Sequence, residues 1–494
     1  MNTIPHWLTK QSYLAPHQIA IETDHGETMT FSELQRASEM FAKKLARLGV
    51  KRESHIGLYS TNDPHMIVAI HALSYLGAVT VMLNTRLTKS ELDFQIHDAQ
   101  VSFIITSDDL MTHAEDMQFS VPVYSFSHVH MLEKTKASIK TQLNLNDLFT
   151  IMYTSGTTGK PKGVMHTYGN HWWSAIGSAL NLGLKSQDKW LAVLPIFHVG
   201  GLSICIRSVI YGMPIYLLKK FNATVINKAI IEKGVTIASV VTVMLQELVA
   251  DLGETSYPQS FRCMLLGGGP CPKHILEQSY VKHIPVFQSY GMTETSSQIV
   301  TLSPADAFHK IGSSGKPLFP GQLKINNPDV HGVGEILVKG PMVTSGYFNY
   351  DEANKNAFNN GWLCTGDLGY LDDDGFLYVV DRRNDLIISG GENIYPSEIE
   401  SVLAGMSEIL EVGVVGKSDQ TWGEIPVAFV VTEDHTLQDE DIKNFGSKYL
   451  ASYKVPKEIY FVKRLPRNAT NKLMRHVLVK WIEEDTLGGN VYDR

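Results

Sequence analysis

Helix and strand patterns alternate along the first half of the chain, and this alternation restricts the possible folds more than any other feature. Thr30 and Glu33 form a capping-box pattern, after which apolar residues recur at helical spacing as far as Gly49. The run HIGLYS then predicts a strand, and a helix followed by a short apolar strand is predicted twice more before Thr106. Because such alternation is typical of sheets with helices packed on their faces, an α/β fold is expected.

The alternation of helix and strand patterns ends near Ile311. From there the short segments GEILVKG, GWLCTGD and GFLYVVDRR, broken by glycines and aspartates, predict an antiparallel β region. A compact segment with helix and strand patterns of its own follows Arg383, and a chain of 494 residues has room for two or three domains. We therefore expect a large N-terminal domain of mixed sheets, helices and a β region over residues 1–383, and a small α+β C-terminal domain over residues 384–494.

Charge, cysteine content and the N-terminal residues argue against several classes of protein. The net charge of −8 argues against nonspecific binding to nucleic acid, which favours a basic surface. The four cysteines form no CxxC pair and lack histidines at zinc spacing, so buried free thiols are expected. The N-terminus has no apolar h-region, and the apolar residues 190–218 are interrupted by Pro195, Gly200 and Arg207. We therefore expect a cytoplasmic protein without a membrane span, in which residues 190–218 form a strand, a loop and a buried helix.

The strongest local signal for function is the sequence YTSGTTGKPKG, which follows the strand-like run LFTIM. Its glycines let the backbone approach an anion, its hydroxyls can bind phosphate oxygens, and its lysines add positive charge. It is not a Walker A loop, because Thr154 stands where that motif has glycine and Pro161 follows Lys160. An ordinary polar loop rarely has this composition, so we interpret the segment as a phosphate loop. Its candidate binding residues are Thr154, Ser155, Gly156, Thr157, Thr158, Gly159 and Lys160.

This loop resembles the signature of the adenylate-forming superfamily, which includes acyl- and aryl-CoA ligases, adenylation domains of peptide synthetases and firefly luciferase. Further motifs of that family follow in the expected order: YGMTE at 290–294, TGD at 365–367, DRRND at 381–385 with SGGEN at 389–393, and PRNATNK at 466–472. The resemblance covers nearly the whole chain, and five motifs in the correct order are far more specific than one. It implies an ATP-dependent ligase that activates a carboxylate as its acyl-adenylate and passes the acyl group to coenzyme A, with Mg²⁺ as cofactor.

The resemblance also implies roles for individual residues. Glu294, with Thr154 nearby, is expected to hold Mg²⁺, and Asp367, assisted by Arg382, is expected to bind the ribose hydroxyls. Attack of a carboxylate on the α-phosphate joins two anions, and Lys472 is expected to bridge them as a point charge on a flexible stem. Tyr290 would stack on adenine, which would lie against the bare backbone of two glycines. The nucleotide-site residues implied in this way also include Gly268, Gly269, Ser289, Gly291, Met292 and Thr293.

Members of the family carry out their two half-reactions in two orientations of a mobile small domain. The large domain then binds ATP and the acyl substrate, and Lys472 enters the site in one orientation. In the other orientation Lys472 withdraws, and a loop at Gly390 and Gly391 helps to form a tunnel for the pantetheine arm of CoA. The family usually has Asp or Lys at the hinge and Gly before the catalytic lysine, where this chain has Asn384 and Asn471. A hinge has only to absorb a backbone rotation, and asparagine tolerates positive φ, so both positions are compatible with these roles.

Two residues of the segment 190–218 bear on the choice of acid. His198, in PIFHVGG, matches a family position beside the acyl pocket, to which Ser289 and Gly291 also belong. Arg207 falls in an apolar helix pattern, and a buried arginine needs an anionic partner. That partner is either a carboxylate of the protein or a second carboxylate of the substrate, and both remain open at this point. GGENIYPSEIE and FHVGGLS resemble bacterial ligases of menaquinone synthesis, whose substrate, 2-succinylbenzoate, is an aromatic keto acid with two carboxylates.

The expected function is therefore ligation of an aromatic dicarboxylate to CoA. One alternative is a ligase for 4-coumarate-like or medium-chain acids, and another is a module that loads a carrier protein. A non-catalytic nucleotide-binding homologue is a third alternative, against which Glu294, Asp367 and Lys472 argue because all three are intact. A homo-oligomer is also an open prediction, because homodimers and larger assemblies are common in the family.

Overall fold

Two helix-covered sheets form most of the large domain, and an antiparallel β region leads from them to a small C-terminal domain. The computed structural model describes residues 2–154, 161–268, 271, 273–330, 332–381, 386–466, 473 and 475–483. The predicted α/β class, with a large N-terminal and a small C-terminal domain, is confirmed. In the part of the chain so described, no helix combines the length and the apolar character that a membrane span requires.

The first sheet has six strands, five of them parallel, and arises from the alternating pattern at the start of the chain. Its inner strand Val79–Leu83 is buried along its whole length, as expected for a parallel strand with both faces covered. The predicted capping box is present: Glu33 N–H donates to Thr30 Oγ1 (3.2 Å), and Thr30 N–H donates to the Glu33 carboxylate (2.8 Å). In spatial order the strands are Lys162–Thr167, Leu148–Thr154, Val79–Leu83, His55–Tyr59, Phe103–Thr106 and Val123–Ser125. The helices in this part of the chain are Phe31–Leu45, Pro64–Leu76, Lys89–Asp98, Met111–Asp116 and Phe126–Met131, with 3₁₀ turns at Ala46–Leu48 and Asp108–Leu110.

The second sheet has nine strands and takes its edge hairpin from the start of the chain. Ile21 of this hairpin pairs in parallel with Ile215, although all other strands of the sheet lie between residues 190 and 317. Residues 190–218 begin with the predicted strand, loop and buried helix, but they end in a second strand, Ile215–Leu217, that was not predicted. In spatial order the strands are Lys316–Pro317, Ser297–Leu302, Val286–Met292, Cys263–Gly267, Ile237–Val241, Trp190–Ala192, Ile215–Leu217, Ile19–Thr23 and Thr28–Thr30. The remaining helices of this domain include Trp7–Leu14, Tyr168–Leu182, Val199–Tyr211, Ala223–Glu232, Thr242–Asp251 and Lys273–Val281, with a 3₁₀ turn at Thr293–Thr295. A separate two-stranded sheet pairs Thr3–Pro5 with Gln142–Asn144.

The predicted antiparallel region begins at Gln322 and forms a five-stranded sheet. All its strand pairs are antiparallel, as the short glycine-broken segments indicated. Its strands are Gln322–Asn326, Gly334–Lys339, Trp362–Leu371, Phe358–Asn359 and Leu377–Asp381, with the helix Asp351–Ala357.

The small domain packs helices on a five-stranded sheet of its own. The helix predicted from Ser397 begins at Pro396, and the helix predicted to end at Leu450 ends at Ser447. Its strands are Glu392–Ile394, Ile387–Ser389, Gly423–Val431, Glu411–Asp419 and Glu458–Phe461, and its helices are Pro396–Leu403, Asp439–Ser447 and Arg475–Glu483. The predicted boundary between residues 383 and 384 lies outside the described residues and stays a prediction.

Candidate functional site

A cavity of about 300 Å³ lies between the two domains, where strands of both large-domain sheets end. Its walls include Met82, Val241 and Gly267 at these strand ends and a loop of the small domain. This volume is at the lower end of the range for small-molecule sites. The predicted site residues that line the cavity are Thr154, His198, Arg207, Gly268, Ser289, Gly291, Met292, Thr293, Gly390 and Gly391.

Part of the predicted site lies outside the described residues, and the roles of those residues stay predictions. They are Ser155, Gly156, Thr157, Thr158, Gly159, Lys160, Gly269, Arg382, Asn384 and Lys472. Thr154 is described, and it pairs with Lys162 on the neighbouring antiparallel strand. The two ends of the predicted phosphate loop are therefore anchored side by side in the six-stranded sheet.

Glu294 lies buried in the turn immediately after Thr293, which lines the cavity. Tyr347 Oη donates a hydrogen bond to Glu294 Oε1 (2.9 Å), and Thr344 N–H donates to the backbone oxygen of Glu294 (2.7 Å). Burial raises the pKa of Glu294, and the hydrogen bond from Tyr347 and the charge of Lys162 oppose this only in part. A carboxylate fixed in this way offers the hard oxygen ligand that Mg²⁺ prefers. Glu294 was predicted from its motif, but no sequence pattern indicated Tyr347, which lies 53 positions further along the chain.

The turn that follows Gly291 has unusual backbone geometry. An ideal Cβ on Gly291 would meet Ser297 O at 2.3 Å, so a side chain there would require a backbone shift. Ser296 and Ser297 adopt positive φ angles of 57° and 131°, which are costly outside glycine. Hydrogen bonds hold this conformation, since Ser174 Oγ donates to Ser296 O (2.9 Å) and Ser296 Oγ donates to Met342 O (2.9 Å). Such strain concentrates at functional sites, and no feature of the sequence indicated it.

Two of the predicted nucleotide-binding residues contact each other. Tyr290 Oη donates to Asp367 Oδ2 (2.7 Å), and Asp367 N–H donates to Thr365 Oγ1 (3.1 Å). The Tyr290 side chain is only 4% exposed, so its contribution in this arrangement is to orient the Asp367 carboxylate. A carboxylate with a fixed orientation can accept hydrogen bonds from two hydroxyls, as the predicted ribose contact requires. The stacking of Tyr290 on adenine stays a prediction.

Arg207 places a buried guanidinium at the wall of the cavity, where it is 1% exposed. Its Nη2 donates to Gln298 Oε1 (3.2 Å), and the guanidinium lies 5.4 Å from the centre of the Trp190 ring. Its Nε has no hydrogen-bond partner among the described residues. Burial lowers the pKa of Arg207, and the neighbours that oppose this are Tyr211 and Cys263 rather than an aspartate or a glutamate. Of the two partners that the sequence left open, a protein carboxylate is therefore not found in the described part of the chain.

Glu392 of the small domain pairs with two basic side chains of the large domain beside the cavity. Arg86 Nη1 lies 2.6 Å from Glu392 Oε1, and His198 Nε2 lies 3.3 Å from Glu392 Oε2. Burial would raise the pKa of Glu392, but the charges of His198, Arg86 and Lys454 outweigh it and lower the pKa to about 2. Glu392 is therefore ionised at neutral pH and holds the SGGEN loop against the large domain. Glu392 belongs to the SGGEN motif, but no sequence pattern predicted a role for it or for Arg86.

Gly390 and Gly391 of the SGGEN loop lie at the wall of the cavity, and their predicted contact with the pantetheine arm stays a prediction. Gly391 has a φ of 85°, and an ideal Cβ there would meet Val241 Cγ2 at 3.2 Å. Glycine thus permits both the left-handed conformation and the close approach of this loop to the large domain. At Gly390 and Gly391 the small domain therefore presents backbone to the cavity.

Comparison with solved structures relates this arrangement of domains to one state of a similar enzyme. A double mutant of o-succinylbenzoate CoA synthetase (MenE) from Bacillus subtilis, bound with its product analogue OSB-NCoA, is 44% identical and superimposes with a TM-score of 0.92 over 97% of this chain and 98% of that chain. The same enzyme in complex with the acyl-adenylate intermediate OSB-AMP is 43% identical and gives a TM-score of 0.76 over 97% of this chain and 98% of that chain. In complex with ATP and magnesium ion it is 44% identical and gives a TM-score of 0.75 over 97% of this chain and 100% of that chain. Because identity and coverage hardly change, the difference in TM-score reflects how the parts of the chain are arranged. This chain has the arrangement of the product-analogue complex.

Comparison of sequences gives the same relationship over the full length. A protein of Oceanobacillus iheyensis named 2-succinylbenzoate–CoA ligase is 55% identical over 484 residues, which cover 97% of this chain and 99% of that protein. The family model described as AMP-binding enzyme matches residues 8–348, and the model described as AMP-binding enzyme C-terminal domain matches residues 398–472. These matches span both sheets around the cavity and the small domain that closes it. The fold, the site and the sequence together show that the chain belongs to the AMP-binding enzyme family.

Proposed function

We propose that this enzyme is an acid–thiol ligase that joins 2-succinylbenzoate to CoA, with conversion of ATP to AMP and pyrophosphate, as a step of menaquinone biosynthesis. The observation that carries the proposal is the guanidinium of Arg207, buried at the cavity wall without a carboxylate partner among the described residues. The names of its relatives support the same reaction.

The substrate proposed here supplies the missing partner of Arg207. 2-Succinylbenzoate has two carboxylates, of which one must be free to react with ATP. The other would be an anion in a confined cavity, where an unpaired charge is costly for ligand and protein alike. The planar fork of Arg207 matches a carboxylate in shape and charge, so pairing the two offsets both costs. A simple fatty acid or a monocarboxylic cinnamate would leave Arg207 unpaired.

In the first half-reaction, a carboxylate oxygen attacks the α-phosphorus of ATP and the bond to the leaving pyrophosphate breaks. Glu294 and Thr154 are the residues that would hold Mg²⁺. Glu294 fits this role because it is a buried carboxylate on which the charge of Lys162, at the end of the predicted phosphate loop, acts. When bound, the ion neutralises charge that builds on the phosphate oxygens. Tyr347 keeps the Glu294 carboxylate in one orientation, and Lys472 enters to bridge the substrate carboxylate and the α-phosphate.

In the second half-reaction, the thiol sulfur of CoA attacks the acyl carbonyl carbon, the bond from that carbon to the AMP oxygen breaks, and the thiol proton is released. The arrangement described above suits this step, because the SGGEN loop closes on the cavity and presents backbone there. Glu392 orients His198 at the cavity wall, next to the acyl group.

We further propose a cytoplasmic location, because ATP and CoA are supplied there, and a homo-oligomeric assembly. Tyr280, Val281 and Phe308 leave large apolar side chains exposed, and Tyr280 packs edge-to-face on Phe308 with ring centres 5.2 Å apart. An exposed aromatic pair of this kind is consistent with a surface that another copy of the chain covers.

A panel of acids tests the proposed substrate and acceptor. Pyrophosphate release is measured with 2-succinylbenzoate, 4-coumarate, benzoate and octanoate, each with and without CoA. We expect rapid CoA-dependent turnover with 2-succinylbenzoate, because it alone of the four places a second anion opposite Arg207. Faster turnover of one of the three monocarboxylates would contradict the proposed substrate but retain the ligase. Turnover with a carrier protein in place of CoA would contradict the acceptor.

Replacing Arg207 with methionine tests the pairing directly. For Arg207→Met we expect kcat/KM with 2-succinylbenzoate to fall by about a hundredfold, the size of a lost charge-assisted contact. With 4-oxo-4-phenylbutanoate, which lacks the ring carboxylate, kcat/KM should change by less than about threefold, because no carboxylate–guanidinium contact is lost. The free energy of unfolding should not fall, because the substitution removes a buried cation that lacks a protein carboxylate partner.

The matched control is Arg262, which lies outside the cavity lining and is paired with Asp188 at 2.6 Å. Arg262→Met should lower the free energy of unfolding, because it leaves the buried carboxylate of Asp188 unpaired. It should also leave the ratio of kcat/KM for the two acids unchanged. An equal loss on both acids in Arg207→Met would show that Arg207 has only a structural role.

A further inference from the structure

A lysine of the small domain lies buried between a glutamate of each domain. Lys454 is 4% exposed, and its Nζ donates to Glu91 Oε1 of the large domain (2.5 Å) and to Glu398 Oε1 of its own domain (2.8 Å). Close by, Thr88 Oγ1 donates to the backbone oxygen of Tyr449 (3.1 Å). The contacts of Glu91 and Thr88 join the two domains across 363 and 361 positions of the chain. We call Lys454, Glu91 and Glu398 the ion triplet.

The position of Glu91 is fixed by its own helix. Thr88 N–H donates to Glu91 Oε2 (2.9 Å) and Glu91 N–H donates to Thr88 Oγ1 (3.5 Å), which together form the capping box of the helix Lys89–Asp98. Glu91 Oε1 is then directed to Lys454. Arg86, which pairs with Glu392 of the SGGEN loop, lies just before this helix. One short segment of the large domain thus holds the small domain at two points.

The ion triplet has the energetics of a reversible contact. All three side chains are less than 9% exposed, and Glu398 Oε2 has no hydrogen-bond partner among the described residues. Dehydrating three charges is costly, and their attraction only offsets that cost. If the small domain rotates, Glu91 parts from Lys454 and the charges regain water. The ion triplet therefore specifies one orientation of the two domains but still lets them separate, whereas an apolar interface would hold them together.

We propose that Lys454 is a positioning residue for the second half-reaction: by pairing with Glu91 it holds the small domain where the SGGEN loop closes on the cavity. It thereby favours acyl transfer to CoA over adenylation. This inference rests on the proposed two-step function. Lys454 does not react in this account; it acts through the orientation of the loop that carries Glu392.

The test separates the two half-reactions in Lys454→Met, Glu91→Gln and the double variant. Adenylation is followed by ATP–pyrophosphate exchange with 2-succinylbenzoate, and acyl transfer by thioester formation from supplied acyl-adenylate and CoA. For Lys454→Met we expect acyl transfer to fall at least about tenfold, because Glu91 and Glu398 then face each other unpaired, while exchange is unchanged or raised. Glu91→Gln keeps the capping box, because glutamine can still accept from Thr88, and should cost acyl transfer only about threefold.

The double variant distinguishes a domain contact from general damage. The glutamine of Glu91→Gln can donate its amide to Glu398, so adding this substitution should restore part of the acyl transfer lost in Lys454→Met. The proposal would be overturned if the loss of acyl transfer in the double variant equalled the product of the two single losses. It would also be overturned if adenylation and acyl transfer fell equally in Lys454→Met. The matched control is Lys417→Met, because Lys417 pairs with Glu458 within the small domain at 2.7 Å and should leave both half-reactions unchanged.

Hydrogen–deuterium exchange gives a readout that does not depend on the substrate. Backbone amides of residues 86–95 and 449–455 should exchange faster in Lys454→Met than in the wild type or in Lys417→Met, because they meet at the interface. Unchanged exchange in these segments would overturn the positioning role. A wild type that does not exchange pyrophosphate with 2-succinylbenzoate would instead contradict the proposed function, while this measurement would still report on the ion triplet.

Discussion

Replacing Lys472 with alanine is expected to abolish adenylation, a loss of at least about a thousandfold, because no other proposed group bridges the substrate carboxylate and the α-phosphate. The same variant should form thioester from supplied acyl-adenylate at a rate within about twofold of the wild type, since Lys472 is withdrawn in that half-reaction. The measurements are ATP–pyrophosphate exchange and thioester formation, each on purified protein at saturating substrate. Such a split would be the kinetic signature of two orientations of the small domain.

The control for this prediction is Lys480, an exposed lysine on the last described helix of the small domain. Lys480→Ala removes the same charge from the same domain and should leave both half-reactions unchanged. Equal losses of adenylation and acyl transfer in Lys472→Ala would contradict the two-orientation account. They would indicate that Lys472 supports the small domain as a whole.

Replacing Glu294 with glutamine is expected to lower adenylation by about a hundredfold to a thousandfold without destabilising the protein. Glutamine keeps an oxygen that can accept the hydrogen bond from Tyr347, but it removes the charge that would hold Mg²⁺. Steady-state rates measured over a range of Mg²⁺ concentrations should show a higher requirement for the ion. Glu277→Gln, which removes a surface charge next to Lys273, is the control and should have no effect on either quantity.

The stability of the Glu294→Gln variant relative to the wild type is expected to depend on pH. Burial raises the pKa of Glu294 in the folded protein above its ordinary value of 4.5. The protonated carboxyl therefore contributes stability below pH 4.5, and this contribution is lost as the pH rises through the folded pKa. In the absence of ATP and Mg²⁺, the Tm of the variant relative to the wild type should increase as the pH is raised from 4.5 to 8. A Tm of the variant that falls relative to that of the wild type over this pH range would contradict the buried position of the charge.

The parts of the fold that were predictable depend on residues close together in the chain. The capping box of Thr30 and Glu33 and the stop at Gly49 set the limits of a helix by local hydrogen bonds and local backbone conformation. The five motifs were recognisable for the same reason. The run ASVVTV at residues 238–243 has the composition of a strand throughout, but the strand ends at Val241 and Thr242 begins a helix. β-Branched residues favour strands, and the position at which the sheet ends overrode that preference.

Contacts between distant residues could not be predicted. The orientation of Glu294 by Tyr347, the pairing of Glu392 with Arg86, and the ion triplet all depend on which chain segments the two sheets and the small domain bring together. Single glutamates and lysines are common on protein surfaces, so no periodicity distinguishes the buried ones. Arg207 was an exception, because a lone arginine in an apolar helix pattern already implied burial.

The edge hairpin of the nine-stranded sheet has a consequence for how the chain is made. Ribosomes release the N-terminus first, yet Ile21 pairs with Ile215, so the hairpin waits for most of the large domain to be translated. At the usual rate of synthesis the interval is roughly ten to forty seconds. During it, the strand Ile19–Thr23 presents unsatisfied backbone groups to every other nascent chain on the same message. We therefore expect codons that slow translation between this strand and Ile215 to prolong the exposure and to lower the yield of folded protein.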